Sequence, residues 1–318
     1  MLQDLHVLAI PTKTDFRGIK TREVAIFRGP FGWSEFSPFI EYSDQEAKNW
    51  FIAALEAAYR PRPDLKKERI KINATLPKVN RDQIKGILSL YPGAKVVKIK
   101  IDSFDSDRYL LDETLNQIPG AKIRLDINAG WSLLDALKNL KEFIDEYGNF
   151  IEYVEQPCRS LEDLKKLKSE LDIKIAIDES IRKSLDADFT HVSESADFAI
   201  IKWQPLGGFS NCEKLVNRIG LPVIVSSALE TGVGISYGLS LASHLGVDFA
   251  CGLGTSVLLD SDILAEPLEI IDGEITVQLG EPNMELVARY VASDERISWW
   301  KQRIDRIIKL GGLDEYFN

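Results

Sequence analysis

An α/β fold, a closed barrel of parallel strands beside a smaller α+β unit, is what this sequence predicts from three observations. Short β-rich runs alternate with helical stretches from about residue 70 to about residue 252. Polar residues stand late in those runs at a near-constant interval: Lys100, Asp126, Glu155, Asp178, Lys202, Ser226 and Cys251 are separated by 26, 29, 23, 24, 24 and 25 residues. Before the alternation comes a strand-rich opening with one strong helix. One strand, one helix and two loops fill such an interval, which argues for a parallel βα array. Periodicity alone also describes an open doubly wound sheet, but eight units over about 180 residues suit a closed barrel better.

The opening unit runs Arg22-Glu23-Val24-Ala25-Ile26-Phe27 into a Gly29-Pro30-Phe31-Gly32 turn and on to Trp33-Ser34-Glu35-Phe36, a strand pair. Ser43-Asp44-Gln45-Glu46 has capping-box spacing, the Ala- and Leu-rich sequence after it predicts a helix to about Ala58, and Arg60-Pro61-Arg62-Pro63 ends it. The eight runs of the array are IKINAT, VVKIKI, KIRLDIN, FIEYVE, IKIAIDE, FAIIKW, PVIVSS and VDFACG. After about Glu266 the alternation stops. The stretch from Gly273 to Leu279 and a helix around Trp299 to Leu310 read as a return to the first unit.

With 318 residues, 45% of them hydrophobic, the chain can bury a large core. No apolar run reaches the roughly 18 residues of a membrane span, and the first residues lack a secretory pattern, so a cytoplasmic location is expected. A net charge of −10 opposes nucleic acid and anionic membranes as partners while leaving room for a small anionic substrate at a locally positive site. Cys158, Cys212 and Cys251 have neither disulfide nor zinc spacing.

Active sites of parallel barrels lie at the carboxyl ends of the strands, so titratable residues there are catalytic candidates. Lys98 with Lys100, Asp126, Glu155, Asp178 and Lys202 end strands two to six. One such acid alone reads as a solvated loop residue or a helix N-cap. Three on successive strands repel one another unless a cation neutralises them. An all-oxygen set selects a hard ion, and Mg²⁺ fits, with Mn²⁺ able to substitute. Residues two apart share a strand face, so Lys98 and Lys100 both point inward, as do Asp126 and Asn128. Neighbouring ammonium groups disfavour each other's charge, which lets Lys98 make Lys100 a usable base. Strands two and six lie on opposite sides of an eight-strand barrel, placing Lys100 and Lys202 across the cavity. One lysine can then remove a proton next to a carboxylate while the other cation faces the developing charge.

Taken together, Lys98-Ile99-Lys100, Asp126-Ile127-Asn128, Glu155-Gln156-Pro157, Asp178-Glu179-Ser180 and the run Lys202 to Gly208 resemble the K-x-K, D-x-N, E-Q-P, D-E-S and K-x-x-x-x-G-G signatures of the muconate-lactonizing branch of the enolase superfamily. The likeness spans nearly the whole chain, and the set is specific where each member is weak. It implies a modified (β/α)7β TIM-type barrel over residues 70–265, with a capping domain built from residues 1–69 and the segment 266–318. It further implies Mg²⁺ on Asp126, Glu155 and Asp178, Lys100 as base and Lys202 as its partner.

Within the branch, the o-succinylbenzoate synthase family, in its actinobacterial form, is resembled by the run Arg28 to Phe39, by Ser226-Ser227-Ala228-Leu229-Glu230-Thr231 and by Gly252-Leu253-Gly254-Thr255. The implied reaction is dehydration of 2-succinyl-6-hydroxy-2,4-cyclohexadiene-1-carboxylate to o-succinylbenzoate, a step toward menaquinone. Ser226, Ser227 and the Gly252-Leu253-Gly254 segment are then expected against the substrate, together with Lys98 and Asn128. The likeness makes Thr14 to Gly18 a lid that brings Arg17 to a substrate carboxylate; an ordinary hairpin is the plain alternative. Trp131 and Trp203 read as packing residues. The same lysines would serve an N-succinylamino acid racemase, and a catalytically silent barrel is a rival of another class. Dipeptide epimerisation and muconate cycloisomerisation match the eighth strand less well. A His base at the seventh strand is disfavoured because Ser226 stands there. The oligomeric state is open, a monomer included.

Overall fold

A three-stranded antiparallel meander, β1 (Gln3–Phe16), β2 (Ile19–Gly29) and β3 (Gly32–Phe36), leads into helix α1 (Asp44–Tyr59). The computed structural model describes residues 2–16, 18–182, 189, 191–313 and 316. The expected capping box is formed: Ser43 Oγ accepts from Glu46 N at 3.2 Å and Glu46 Oε2 accepts from Ser43 N at 2.9 Å, satisfying two of the helix's orphan donors. Alanines at 47, 54 and 58 let α1 sit close on the meander, and Phe27, Phe36, Trp50 and Phe51 fill the space between.

The array follows: β4 (Arg69–Lys71), β5 (Ala74–Leu76), α2 (Arg81–Leu88), β6 (Val96–Lys100), α3 (Phe104–Gln117), β7 (Lys122–Asp126), α4 (Leu133–Tyr147), β8 (Ile151–Glu155), α5 (Leu161–Glu170), β9 (Ile175–Ile177), α6 (Glu179–Arg182), β10 (Phe198–Ile201), α7 (Phe209–Ile219), β11 (Val223–Val225) and α8 (Gly232–Leu245). Strands β5 to β11 form one parallel sheet in sequence order. The sheet curls until it meets itself. Single parallel bridges, Ser226 with Gly252 and Cys251 with Ile72, put the 251–252 backbone in the eighth place. The eighth position is followed by a short 3₁₀ turn, Thr255–Leu258, rather than an α-helix. The architecture is the (β/α)7β barrel, with the open-sheet alternative set aside by the two bridges.

Alternation along the strands sorts side chains to the two faces. Leu125, Val154, Ile177 and Ile201 belong to the main core, whereas Tyr153, Ala176, Phe198, Ile200 and Ile224 form a separate buried cluster, with the Arg124 guanidinium 4.8 Å from the Tyr153 ring centre. The register aligns Lys100 with Asp126, Asp126 with Glu155, and Glu155 with Ala176.

The last segment carries β12 (Glu274–Thr276), α9 (Met284–Arg289) and α10 (Asp294–Lys309). β12 stands apart from the meander. It pairs antiparallel with β4, where Ile275 faces Ile70 and both are buried. Helix α10 does lie on the opening unit. Glu23 of β2 accepts from Arg296 Nε at 2.9 Å and Nη2 at 2.7 Å, and from Trp300 Nε1 at 2.7 Å. Trp300 and Ile304 enter the same cluster as Phe36 and Phe51. Among the described residues, no helix is long and apolar enough to cross a membrane.

Candidate active site

The carboxyl ends of the parallel strands open into a cavity roofed by the meander and α1. Its walls include Lys98 and Lys100 from β6, Asp126 and Asn128 from β7, Asp178 after β9, Lys202 after β10, and Ser226 and Ser227 after β11. Each arrives by alternation: Lys100 shares a face with Lys98, Asp126 with Arg124, Asp178 with Ala176, and Lys202 with Ile200. Phe16, Phe39, Tyr42 and Trp50 supply an aromatic wall from the other unit.

The acids and bases interlock. Lys98 Nζ lies 2.6 Å from Glu155 Oε1 and 3.0 Å from Asp126 Oδ2. Lys100 Nζ lies 2.7 Å from Asp126 Oδ2 and also donates to Asn128 Oδ1. Lys202 Nζ lies 2.6 Å from Asp178 Oδ2. Asp126, Glu155 and Asp178 are all buried, and Glu155 sits beneath the surface of the cavity wall.

Burial is the strongest influence on Lys98, Lys100, Asp126, Glu155 and Asp178, and their neighbours decide the direction. For Lys98 burial works against the charge, but Asp126 and Glu155 outweigh it and hold the ammonium well above the usual lysine range. For Lys100 burial prevails, opposed by Asp126 and assisted by Lys98, so its pKa falls below the usual value. That is the sense expected of the paired lysines, although desolvation rather than Lys98 is the main cause. Burial opposes ionisation of Asp126 and Asp178, yet the lysines beside them leave both below the normal aspartate range. Glu155 moves up, through burial and the repulsion of Asp126.

Two carboxylate oxygens in this arc, Asp126 Oδ1 and Glu155 Oε2, are buried and accept no hydrogen bond. Unpaired buried acceptors of this kind call for a partner. Among the described residues, no three acidic, His or Cys groups converge on one point as they stand. Ammonium groups lie between the acids: Lys98 spans two of them and Lys202 holds the third. A hard divalent ion suits this donor set, which is all oxygen, acidic and partly unsatisfied.

Several residues stand where the sequence did not point. Arg182, one helical turn beyond Asp178, lines the cavity; its Nη2 donates to Glu179 Oε1 at 2.8 Å, its Nη1 to the Tyr42 hydroxyl at 3.2 Å, and its Nε lies 3.5 Å from Asp178 Oδ1. Glu179 also accepts from Asn128 Nδ2 at 3.3 Å. The fourfold spacing of Asp178 and Arg182 was a readable signal; the approach of Tyr42 and Trp50 from another unit was not.

At the eighth strand, neighbouring side chains closely constrain Gly252, Leu253 and Gly254. Gly252 is needed because a Cβ there would stand 2.4 Å from Ser226 Oγ, a Cβ on Gly254 would press on Ile72, and the fully buried Leu253 side chain lies against Gly238 of α8. Thr255 lines the cavity, and Ser227 Oγ donates to Gly252 O at 2.6 Å. Thr14 to Phe16 are the extended end of β1, with only Phe16 against the cavity; Arg17 lies outside the described residues. Trp131 and Trp203 are packing residues: Trp131 donates to Asp102 O at 2.6 Å, and Trp203 stacks on Tyr237 at 5.2 Å between ring centres.

Known proteins share much of this chain. Residues 7–58 match the family model described as Enolase N-terminal domain-like, and residues 88–282 the one described as Enolase C-terminal domain-like. The o-succinylbenzoate synthase of Mycolicibacterium smegmatis is 39% identical over 309 residues, 96% of this chain and 95% of that protein. That of Mycobacterium tuberculosis is 38% identical, covering 96% of this chain and 93% of its own length. Among solved structures, the muconate lactonizing enzyme from Pseudomonas fluorescens superposes with a TM-score of 0.73 at 18% identity, covering 92% of this chain and 99% of that one. The L-Ala-D/L-Glu epimerase from Bacillus subtilis superposes with a TM-score of 0.71 at 21% identity, covering 89% and 98%. These two structures share the fold.

Proposed function

Since the chain belongs to the enolase superfamily, within its o-succinylbenzoate synthase family, we propose that it dehydrates 2-succinyl-6-hydroxy-2,4-cyclohexadiene-1-carboxylate to o-succinylbenzoate with the aid of Mg²⁺. The observation that carries the reading is one cavity with Lys100 on one wall and Lys202 on another, and Asp126, Glu155 and Asp178 in an arc between them. Asp126, Glu155 and Asp178 would hold the ion, which supplies positive charge to a substrate carboxylate as that group becomes more negative.

Neutral Lys100 takes the proton from the carbon next to the carboxylate, and the electron pair left behind moves into the carboxylate to give an enediolate. Asn128, hydrogen-bonded to Lys100, fixes where its Nζ can reach. Lys202, held by Asp178, faces the forming anion from the far wall, where a cation can also rest against the ring. The enediolate then expels the ring hydroxyl. Lys100 returns its proton to that hydroxide, so the products are water and an aromatic ring. The aromatic wall of Phe16, Phe39, Tyr42 and Trp50 keeps bulk water from the anion.

The two-lysine arrangement also allows racemisation of an N-succinylamino acid, each lysine working on one face. A cytoplasmic enzyme acting on a small carboxylate without nucleic acid accords with the charge. The experiment is a paired assay of the purified protein with Mg²⁺: o-succinylbenzoate formation in one vessel, deuterium uptake at the α carbon of an N-succinylamino acid in the other. Fast dehydration with little exchange supports the proposal. The reverse replaces dehydration with racemisation.

A further inference from the structure

After β11 the chain enters a loop, residues 226–231, whose Ser226, Ser227 and Ala228 line the cavity. Its backbone is held in an unfavourable form, since Leu229 has φ +62°. A left-handed conformation is costly for a residue other than glycine and persists only where the surroundings impose it. The surroundings here are the meander. Arg22 of β2 donates from Nε to Leu229 O at 3.0 Å and from Nη2 to Ala228 O at 3.3 Å, and Nη2 also meets Ser37 O. Glu35 of β3 accepts from Thr231 N at 3.1 Å, Thr231 Oγ1 at 2.5 Å and Gly234 N at 3.2 Å through Oε2, and from Ser37 Oγ at 2.6 Å through Oε1.

The same cluster reaches the catalytic side of β10. Ser37 N donates to Gln204 Oε1 at 3.0 Å, and Gln204 Nε2 donates to Ser37 Oγ at 3.1 Å, two residues beyond Lys202. Arg22, Glu35, Ser37, Gln204, Glu230 and Thr231 are all buried. Enclosing a guanidinium and two acidic groups carries a desolvation cost that an apolar contact between the units would avoid. What the ions contribute and apolar residues cannot is a fixed direction for each loop carbonyl and amide.

We propose that Arg22 is a positioning residue: with Glu35 it holds the Ser226–Thr231 loop in register with the meander and so sets the surface against which the far end of the substrate is bound. The inference rests on the dehydratase reading for its substrate, but not for its geometry. Ser226 and Ser227 line the cavity in the place the clamp dictates, while Lys100 and Lys202 keep their positions on other strands. Loss of the clamp therefore weakens binding more than it slows the chemistry.

Arg22→Met and Glu35→Gln in the full chain test this by two readouts, amide hydrogen exchange and steady-state dehydration. Exchange at Ala228 and Thr231 rises tenfold or more in Arg22→Met while β7 amides stay protected, KM rises about tenfold, and kcat stays within threefold. Arg22→Lys, which keeps the charge and one donor, recovers part of both effects. Wild-type protection at 228–231 with unchanged KM overturns the proposal, as does an equal fall in kcat and in protection throughout the molecule. Should Arg22→Met fail to fold, Glu35→Gln, which preserves volume, decides between the same outcomes through exchange at the Thr231 and Gly234 amides. If the wild type itself makes no o-succinylbenzoate, the substrate reading falls, and the exchange data alone judge the clamp.

Discussion

Glu56 of α1 and Gly208 at the start of α7 occupy complementary space: a Cβ on Gly208 would stand 1.8 Å from Glu56 Oε2. Gly208 is the N-cap of α7 and has no side chain with which to cap it, so Glu56 does so from the other unit, its Oε1 accepting from Ser210 N at 3.1 Å. A carboxylate at a helix N-terminus is doubly favoured, by hydrogen bonding and by the helix dipole. The second glycine of the K-x-x-x-x-G-G signature thus makes room for a neighbour, at φ +96°.

Gly208→Ala is expected to cost about 3 kcal/mol, from backbone strain and displacement of Glu56 together. Urea unfolding measures the loss. Stability equal to wild type would mean that the Glu56 contact is dispensable.

Lys100→Ala should lower kcat by about 10³ or more, because one group both takes and returns the proton. Mg²⁺ affinity, read by calorimetry, should stay within about tenfold, since Asp126, Glu155 and Asp178 remain. More than a few per cent residual turnover would remove Lys100 as the base.

Asp178→Asn should weaken Mg²⁺ binding by tenfold or more. The variant loses a charged ligand and leaves Lys202 and Arg182 without the carboxylate that both approach, 2.6 Å and 3.5 Å away. The readout is metal titration without substrate. An unchanged isotherm would show that the ion is held elsewhere.

Stability should depend on pH through Glu35. Burial first, and then the Glu230 carboxylate, raise its pKa from 4.5 to about 7, against the opposing pull of Ser37, Thr231 and Arg22. A raised acid binds its proton more tightly in the folded chain, so its contribution is complete below about pH 4.5 and is lost as pH rises through about 7. The gap between those values corresponds to on the order of 3 kcal/mol. Denaturant unfolding of wild type and Glu35→Gln at pH 5, 6 and 7.5, without metal, isolates this share from that of Glu155, which moves the same way. Parallel curves for the two proteins would refute it.

The barrel and its strand-end residues were legible because both depend on short-range regularities. A spacing near 25 residues announces a βα unit, and alternation within five residues decides that Lys98 and Lys100 face inward together. The cross-unit features were not legible. Nothing near Arg22 in the sequence announces a carbonyl at Leu229, 207 positions away, and nothing near Glu56 announces Ser210. The packing of the eighth strand was not legible for a related reason: nothing in Gly252-Leu253-Gly254 announces that its glycines make room for Ser226 and Ile72. The pairing of β12 was not legible either, because three residues of β sequence do not say which edge will take them.

The grip of Glu23 on Arg296 and Trp300 bears on how the molecule comes into being. During synthesis the meander and α1 emerge first, then the barrel, and only afterwards the helix that completes the hydrophobic cluster under Phe36 and Phe51. Contacts that span so much chain are slow to form and leave apolar surface uncovered meanwhile. The roof of the cavity is thus among the last parts to consolidate, and a nascent chain short of α10 carries its lysines and acids under an unfinished cover. Catalytic competence should appear late and abruptly in refolding, after most of the helical signal has returned.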